Sequence, residues 1–309
     1  MKVHRDIENL PVFRNAVITI GTFDGVHMGH RQIISSLKEE AKAINGETVI
    51  ITFHPHPRKV VASTILGVRL INTLDEKLHL LEQLGVDHVV VVPFTDAFAN
   101  QPAEDYIKDF LIEKFHPHTI IIGYDHRFGK ERKGDYMLLE KRASEYGYVM
   151  KEIPKQILEE ISVSSTKIRE ALLEGKIEIA DKLLGYEFFF SGIVVHGDKL
   201  GRTFGFPTAN LRIPDEEKII PRNGIYAVYA QPQGYRERLK GMMSIGFRPT
   251  VDGKKKVIEV NIFDFDKDIY GETLKVYVKK YLREEVKFDS IEELIVQMHQ
   301  DKIETDKVL

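Results

Sequence analysis

The sequence predicts two successive domains of different architecture, first an α/β domain built on a parallel sheet and then an antiparallel β-barrel. Short apolar runs alternate with helix-like segments up to residue 184, which indicates βαβ units. After residue 185 the apolar residues recur with a period of two, as in antiparallel strands. The length of 309 residues also fits two domains, since a domain usually has ~100–200 residues. We therefore expect domains at residues 1–184 and 185–309.

The composition excludes several classes of protein. The chain contains no cysteine, which rules out disulfides and thiolate metal sites and fits a reducing compartment. Its net charge is −3 and its basic and acidic residues are interleaved, unlike the basic stripe of a nucleic-acid binder. No apolar stretch approaches the ~20 residues of a membrane span, and residues 1–15 do not resemble a signal peptide. We expect a cytoplasmic protein with no nucleic-acid or membrane partner, and self-association stays open.

The first half predicts a Rossmann-like sheet with helices on both faces. The predicted strands are the apolar runs at residues 17–20, 49–53, 88–92, 119–122 and 148–153. The predicted helices between them are residues 29–43, 74–84, 103–115 and 135–146. In such sheets ligands bind beyond the carboxyl ends of the strands, near the point where the strand order reverses.

Polar and aromatic segments follow all five predicted strands. They are residues 21–30, 54–58, 93–98, 123–129 and 162–169. Because the carboxyl ends of parallel strands meet at one edge of a sheet, we expect these segments to converge on a binding cleft.

Residues 21–30, which read GTFDGVHMGH and are called the Gly/His turn below, carry the chemistry of this half. Its glycines permit close backbone approach, and the helix start that follows favours a phosphate. His27 and His30 are three residues apart and can share a face of the first helical turn. The turn lacks the patterns of a Walker loop and of a dinucleotide-binding loop, but its HxGH tetrapeptide resembles the nucleotidylyltransferase signature. The alternative is a plain turn with solvated or metal-bound histidines.

The other segments also have simpler interpretations. His54, His56 and their prolines could form a stiff surface turn, or a zinc site that lacks a third ligand. Residues 123–129 could be an ordinary connection, although Phe128 would stack well on a flat ring. Residues 164–166 predict a helix N-cap, and a capped helix end can also bind phosphate.

The second half predicts a barrel closed by a helix. Its strand-like runs are residues 188–195, 225–230, 242–245, 257–263 and 274–278, and residues 290–300 have helical spacing. A glycine-rich loop at residues 196–205 offers amides to phosphate, and the Thr208 hydroxyl and Asn210 carbonyl that follow offer oxygens to Mg²⁺. Glu259 alternates with apolar neighbours, so it and Asn261 lie either on a solvated face or next to the loop, where Glu259 could accept a substrate proton.

Four motifs of the first half resemble the adenylyltransferase half of bacterial bifunctional riboflavin kinase/FAD synthetases. They are GTFDGVHMGH, TFHPHP, GYDHRFGKERKGD and VSSTKIRE, within residues 21–170. The resemblance implies that ATP is bound by Gly21, Asp24, His27, Gly29, His30, Ser165, Thr166 and Arg169. It implies flavin contacts at His56, Pro57, Asp125 and Phe128, and catalytic roles for His27, His30 and Arg169. His54 stands where the family is expected to have an acidic residue, and Asp125 where some members have Asn.

Five motifs of the second half resemble the riboflavin kinase module of the same family. They are GRTFGFPTAN, NGIYAV, SIGFRPTV, IEVNIFDFDKDIYG and LREEVKF. The resemblance implies that the ATP phosphates are bound by Gly197, Lys199, Gly201, Gly205, Pro207 and Thr208. It implies Mg²⁺ on Thr208 and Asn210, Glu259 as the base for the ribityl hydroxyl, and Arg283 near the flavin. The module implied is a six-stranded antiparallel β-barrel with a C-terminal helix, and Asn261 stands where the family often has His.

The resemblance implies two successive transfers by one chain. Riboflavin and ATP would give FMN and ADP in the barrel, and FMN and a second ATP would give FAD and pyrophosphate in the α/β domain. The FMN phosphate is already an anion, so positioning and charge stabilisation would replace a strong base in the second step. Three alternatives stay open: transfer to another phosphate, a flavin or nucleotide sensor without catalysis in one half, and an RNA-binding barrel. The sequence lacks the paired stacking aromatics that the last requires.

Overall fold

The computed structural model describes residues 1–61, 69–197, 200–250 and 253–309. The chain divides into two compact units, Met1–Ser165 and Thr166–Leu309. This division falls within a helix, and the functional boundary expected at residue 184 stays a prediction.

The first unit is built on a parallel sheet, as predicted, but the sheet has six strands rather than the five predicted. Its first elements are β1 Lys2–His4, β2 Val17–Ile20, α1 Met28–Ala43, β3 Thr48–His54, α2 Pro57–Val61, α3 Leu74–Gln83, β4 His88–Pro93 and α4 Asp96–Ala99. Next come α5 Ala103–Asp105, a π-helix Tyr106–Ile112, α6 Glu113–Phe115, β5 Thr119–Gly123, a short hairpin of β6 Arg127–Phe128 and β7 Gly134–Asp135, α7 Tyr136–Tyr146 and β8 Val149–Ile153. The helix α8, Lys155–Leu173, spans the division between the units.

The sheet order β1-β4-β3-β2-β5-β8 places β2 at the topological switch point. From β2 the chain proceeds to β3 and β4 on one side and later to β5 and β8 on the other, so a crevice opens beyond the end of β2. All neighbouring strands are parallel, so the segments after β2, β3, β4 and β5 lie at one edge, as expected. The Gly/His turn occupies the position in this sheet where ligands usually bind.

Local sequence accounts for most element boundaries. The strand β2, which reads VITI, is buried along its whole length, as its β-branched and mainly apolar sequence favours for a sheet covered on both faces. The helix α3 begins at a capping box in which Thr73 and Glu76 exchange side-chain and backbone hydrogen bonds. The helix α7 ends at Gly147, whose φ of 74° is the left-handed conformation of a helix C-cap. Short elements without a strong pattern, such as β1 and the β6–β7 hairpin, escaped prediction.

The prediction of a helix N-cap at residues 164–166 is wrong. The helix α8 begins at Lys155, directly after Pro154, whose carbonyl accepts hydrogen bonds from the amides of Ile157 and Leu158 at 3.0 and 3.3 Å. No glycine or proline interrupts residues 155–173, so the helix continues through the Ser/Thr run. Ser165 and Thr166 are therefore interior helical residues, and their amides are not free helix-end donors.

The second unit is a closed antiparallel barrel of six strands in the order β10-β13-β12-β11-β14-β9, as the resemblance implies. Its elements are α9 Ile177–Leu184, β9 Phe189–Val195, α10 Leu200–Thr203, β10 Ala209–Arg212, β11 Gly224–Pro232, β12 Leu239–Thr250, β13 Gly253–Ile262, β14 Thr273–Arg283 and α11 Ile291–Val308. The periodicity missed β10, because four residues next to the loop are too few to show alternation. The closing helix is confirmed, with Ser290 as N-cap accepting from the Glu293 amide at 3.2 Å, and it extends beyond residue 300.

Candidate functional site

The Gly/His turn is a strained loop between β2 and α1. The Gly21 amide donates to the Ile51 carbonyl at 3.0 Å, which keeps the start of the turn at the end of β3. Phe23, Gly25 and Val26 then adopt φ values of 48°, 87° and 38°. Only glycine adopts such values without cost, and a Cβ on Gly25 would also lie 3.0 Å from the Ile71 side chain. Left-handed residues outside glycine are frequent at functional turns.

The two histidines of the turn share one face, as predicted, and stack. Their ring centroids are 3.9 Å apart at an interplanar angle of 27°, and the exposed fractions of His27 and His30 are 0% and 7%. The Nε2 atom of His27 lies 2.9 Å from the Oγ of Ser165. Burial, then the charge of His27 and then that of Lys77 hold the pKa of His30 well below its ordinary value. His30 is therefore neutral near pH 7 and can donate one hydrogen bond to a phosphate.

Asp24 stabilises the Gly/His turn by hydrogen bonds to the loop before α3. Its exposed fraction is 4%, and its Oδ1 accepts the amides of Ile71 at 2.9 Å and Asn72 at 3.2 Å. A carboxylate that binds two backbone amides fixes the loop before α3 against the Gly/His turn. Gly29, in the first turn of α1, is also buried. The ATP-binding roles of Gly21, Asp24 and Gly29 stay predictions.

The residues predicted at the last ATP motif lie along α8. Ser165 is half-buried and contacts His27, Thr166 is exposed, and Arg169 is half-buried one helical turn further along. The structure thus brings Ser165 to the histidine pair, while the roles of Thr166 and Arg169 stay predictions.

The residues predicted to contact flavin differ in their surroundings. His56 and Pro57 are half-buried in the connection between β3 and α2, and Asp125 is exposed after β5. Phe128 instead belongs to the hydrophobic core, with an exposed fraction of 6% and its ring stacked on Tyr106 at 4.6 Å and 26°. One face of Phe128 is therefore already covered by protein, and its predicted flavin contact is untested.

A cavity of about 400 Å³ between the barrel and the closing helix brings together four of the nine predicted kinase residues. Its lining includes Gly201, Thr208, Glu259 and Arg283, which were predicted from the sequence. Its apolar lining was not predicted and comes mainly from Phe204, Met242, Met243, Val286, Phe288, Leu294 and Met298. An apolar cavity with a few polar groups at one end is typical of a site for a flat aromatic ligand.

Glu259 is one of the polar residues that line this cavity. Its Cα is directly opposite that of Asn210 on β10 and that of Ser244 on β12, so these side chains share one face of the barrel wall. Asn261, two residues along β13, lines the same cavity with an exposed fraction of 6%. The alternative that Glu259 and Asn261 form a solvated outer face is therefore wrong.

The segment from Pro207 to Asn210 is held by contacts that suit an oxygen-ligated cation. The Nδ2 of Asn261 donates to the Pro207 carbonyl at 2.7 Å, next to Thr208. A Cβ on Gly197 would lie 2.3 Å from the Nδ2 of Asn210, so this glycine makes room for the Asn210 carboxamide. A hydroxyl and an amide oxygen with a carboxylate on the neighbouring strand match the hard oxygen ligands of Mg²⁺. The residues present therefore fit this ion.

A second and smaller cavity of about 70 Å³ lies beside the first. Its lining includes Arg202, Pro207, Thr208, Lys267 and Tyr270. Thr208 lines both cavities. Of the other predicted loop residues, Gly205 has a φ of 81° in open space, and Lys199 lies outside the described residues.

Arg283 is held at the rim of the larger cavity by the closing helix. Its Nε and Nη2 donate to the two carboxylate oxygens of Asp301 at 2.7 and 2.6 Å, and the exposed fraction of Asp301 is 5%. The Nε2 of Gln297 donates to the same carboxylate at 2.9 Å. The spacing of Leu294, Met298 and Asp301 places them on one face of the helix, so the sequence contained a signal that this face lines a site. The sequence pattern predicted only that the helix closes the barrel.

Comparison with known proteins covers both units. A family model described as FAD synthetase matches residues 10–167, and one described as riboflavin kinase matches residues 184–309. The bifunctional riboflavin kinase/FMN adenylyltransferase of Escherichia coli K12 is 39% identical over 98% of this chain and 96% of its own length. The protein with the same description in Bacillus subtilis 168 is 38% identical over 94% of this chain and 91% of its own.

One solved structure matches nearly the whole chain. It is a Streptococcus pneumoniae structure described as a macrolide-efflux protein, with a TM-score of 0.84, 30% identity and coverage of 99% of this chain and 98% of the other. Among the helices of the described residues, none combines the length and apolarity needed to cross a membrane.

Proposed function

The chain belongs to the family of bifunctional riboflavin kinase/FMN adenylyltransferases, and we propose how its residues divide the two reactions. The enzyme phosphorylates riboflavin with ATP to give FMN and ADP, and it adenylylates FMN with a second ATP to give FAD and pyrophosphate. We assign the adenylyl transfer to residues 1–184 and the kinase reaction to residues 185–309. The observation that carries the kinase assignment is that Thr208 lines two cavities, one of them containing Glu259.

In the kinase reaction, riboflavin occupies the larger cavity and ATP approaches from the smaller one. The isoalloxazine ring packs against the apolar side chains of α11 and the segment before it, such as Met298 and Phe288, with Arg283 at its rim. The ribityl 5′-hydroxyl then points to Glu259, whose carboxylate accepts the hydroxyl proton as the oxygen attacks the γ-phosphorus. The bond from this phosphorus to the β-phosphate oxygen breaks, and ADP leaves.

The loop before β10 holds the phosphates for this transfer. Thr208 lies where the two cavities meet, so its hydroxyl can contact the transferring phosphate. The amides around Gly197, Gly201 and Gly205 contact the phosphates, and Lys199 adds positive charge. Mg²⁺ on Thr208 and Asn210 would neutralise phosphate charge in the transition state.

In the adenylyl transfer, a phosphate oxygen of FMN attacks the α-phosphorus of ATP and pyrophosphate leaves. No base is required, because the attacking oxygen is already an anion. His27 makes no side-chain cap to α1 in the described structure, which supports a role of the first-turn amides in phosphate binding. His27, neutral His30 and these amides bind the phosphates by hydrogen bonds, and Arg169 adds charge. His56, Pro57, Asp125 and Phe128 are proposed to face the flavin.

A time course with riboflavin, ATP and Mg²⁺ tests this proposal. Riboflavin, FMN and FAD are separated by chromatography at successive times, and Mg²⁺ is omitted in a parallel reaction. We expect FMN to appear first and then convert to FAD, and neither to form without Mg²⁺. FMN that accumulates without giving FAD, even when FMN is the added substrate, would refute the assignment of the first half.

A further inference from the structure

The first unit contains a buried lysine that the reaction scheme above does not use. Lys77 lies in the second turn of α3, and its exposed fraction is only 6%. Burying an ammonium group costs several kcal/mol unless close partners compensate the loss of water. In the described part of the chain, its Nζ reaches one hydrogen-bond acceptor, the Oγ1 of Thr52 at 3.4 Å, which is long for a hydrogen bond. Three N–H donors thus have little compensation within the protein.

The partner of Lys77 connects it to the Gly/His turn. The Thr52 hydroxyl, near the end of β3, donates in turn to the Thr22 carbonyl at 3.3 Å. Thr52 is fully buried. A chain of contacts therefore runs from α3 through β3 into the loop that carries the histidine pair.

The charge of Lys77 acts on both sides of that loop. Burial lowers the pKa of Lys77 to about 8, and attraction to the Asp24 carboxylate opposes this shift. Lys77 is consequently still mostly protonated at pH 7. The same charge, after burial and His27, lowers the pKa of His30. Among the described residues, His27 and Lys77 are the charged groups that shift the pKa of His30, and Asp24 is the charged group that shifts the pKa of Lys77.

A fixed positive charge behind a phosphate site is useful to adenylyl transfer. ATP and FMN bring several negative charges to the crevice, and a cation already buried there requires no reorganisation when they bind. Its field is weakly screened, because water is largely excluded from its surroundings. The same cation adds to the effects of burial and of His27 in lowering the pKa of His30, which favours a neutral imidazole before the substrates bind.

We propose that Lys77 is a positioning residue of the adenylyl-transfer site: its ammonium anchors the Gly/His turn through Thr52 and holds positive charge near His30. This inference rests on the proposed assignment of adenylyl transfer to the first half. It adds to that site a residue that lies in none of the motifs used to recognise it.

Three variants of the full chain test the role. Lys77→Met removes the charge and keeps the length of the side chain, and Lys77→Arg keeps the charge. Lys108→Met, at an exposed lysine of the same unit, is the matched control. FAD formation from FMN and ATP is measured from acid to alkaline pH, and FMN formation from riboflavin is measured on the same preparations.

We expect Lys77→Met to lower kcat/KM for FAD formation by about 10²-fold, as when one preorganised electrostatic partner is lost. The acid limb of its pH profile should move to higher pH, because removing a neighbouring cation lets the pKa of His30 rise. Lys77→Arg should keep the wild-type acid limb and recover part of the rate. Lys108→Met should match the wild type, and FMN formation should be unchanged in all variants.

Two results for Lys77→Met would overturn the inference. One is a wild-type rate of FAD formation. The other is a lower rate with an unmoved pH profile, because that result would mean that Lys77 has a structural role alone. If Lys77→Met does not fold, the pH profile of Lys77→Arg tests the inference instead. An acid limb at the wild-type position supports it, because the charge is retained. An acid limb displaced despite the retained charge contradicts it. Wild-type protein that forms no FAD from FMN would instead refute the proposed function itself, and this is measured first.

Discussion

The Nε2 atom of His27 lies 2.9 Å from the Oγ of Ser165, although the two residues are 138 positions apart in the chain. The contact joins the start of α1 to the interior of α8. His27 is completely buried, so the contact helps to fix the orientation of its ring and of the His30 ring stacked on it. It brings Ser165 of the Ser/Thr motif to the histidine pair although the motif does not start a helix.

Replacing Ser165 with Ala should reduce adenylyl transfer and leave the kinase reaction intact. A neutral hydrogen bond contributes about 1 kcal/mol, which corresponds to about fivefold in kcat/KM for FAD formation from FMN. Ser36→Ala, at an exposed serine of α1, is the control. Steady-state assays of both reactions measure the effect, and unchanged FAD formation would show that the contact does not orient His27 for catalysis.

Replacing Glu259 with Gln should stop FMN formation. The amide cannot accept the ribityl proton, and loss of a general base typically costs about 10²–10⁴-fold. FAD formation from added FMN should continue at the wild-type rate, because that reaction is assigned to the other half. Glu237→Gln, at an exposed carboxylate of the barrel, should have no effect. Equal loss of both reactions in the Glu259 variant would contradict two separate sites.

Replacing Gly197 with Ala should weaken Mg²⁺ binding at the kinase site specifically. The new Cβ would approach the Nδ2 of Asn210 to 2.3 Å, so the carboxamide must move. Displacing a group that supports a metal site lowers affinity by about 10–100-fold, and the Mg²⁺ concentration for half-maximal FMN formation should rise accordingly. Gly234→Ala, where a Cβ meets nothing within 4 Å but the φ of 81° strains any other residue, controls for the backbone effect of replacing a glycine in this unit. An equal Mg²⁺ concentration for half-maximal FMN formation in both variants would contradict a role of Asn210 in binding Mg²⁺.

Replacing Asp301 with Asn should destabilise the barrel and raise KM for riboflavin. The bidentate pair with Arg283 is largely buried, with side-chain exposures of 23% for Arg283 and 6% for Asp301. Removing one partner of such a pair costs about 3 kcal/mol, the lower end of the usual range because Arg283 is partly exposed. Urea unfolding and riboflavin titration measure the two effects. Asp306→Asn, at an exposed position of the same helix, should change neither the stability nor KM. An unaltered KM for riboflavin in Asp301→Asn would show that the Arg283–Asp301 pair does not contribute to riboflavin binding.

Stability of the first unit should fall as the pH decreases from about 6.5 to about 4. Burial, with smaller effects of Arg132 and Arg127, lowers the pKa of His126 from 6.5 to about 4. Between these values the unfolded chain binds a proton that the folded chain does not, so protonation favours unfolding, whereas above 6.5 both forms are neutral. Thermal unfolding of the wild type and of His126→Gln across this range measures the effect. The variant should lose less stability on acidification, and equal losses would exclude His126 as a cause.

The sequence by itself determined the two architectures and the motifs of the sites. Mainly apolar, β-branched runs such as β2 have few alternatives to a buried parallel strand, and the period of two after residue 185 predicted the barrel. The HxGH spacing was enough to place His27 and His30 on one face, because helical geometry over three residues is local. Likewise the alternation around Glu259 and Asn261 predicted that both side chains point to the same side of β13.

Only the tertiary structure decided whether that side of β13 lines the cavity or faces solvent. It also decided which residues distant in the chain contact each other. Asn261 lines the cavity and donates to the Pro207 carbonyl just before β10, a strand too short to show a pattern. Phe128 packs on Tyr106, and Arg283 pairs with Asp301, because of how separate elements of the fold pack together. Lys77 gave no signal at all, since a lysine on an amphipathic helix is usually solvated. Periodicity reports the direction of a side chain relative to its own element, whereas its partners depend on how the elements pack.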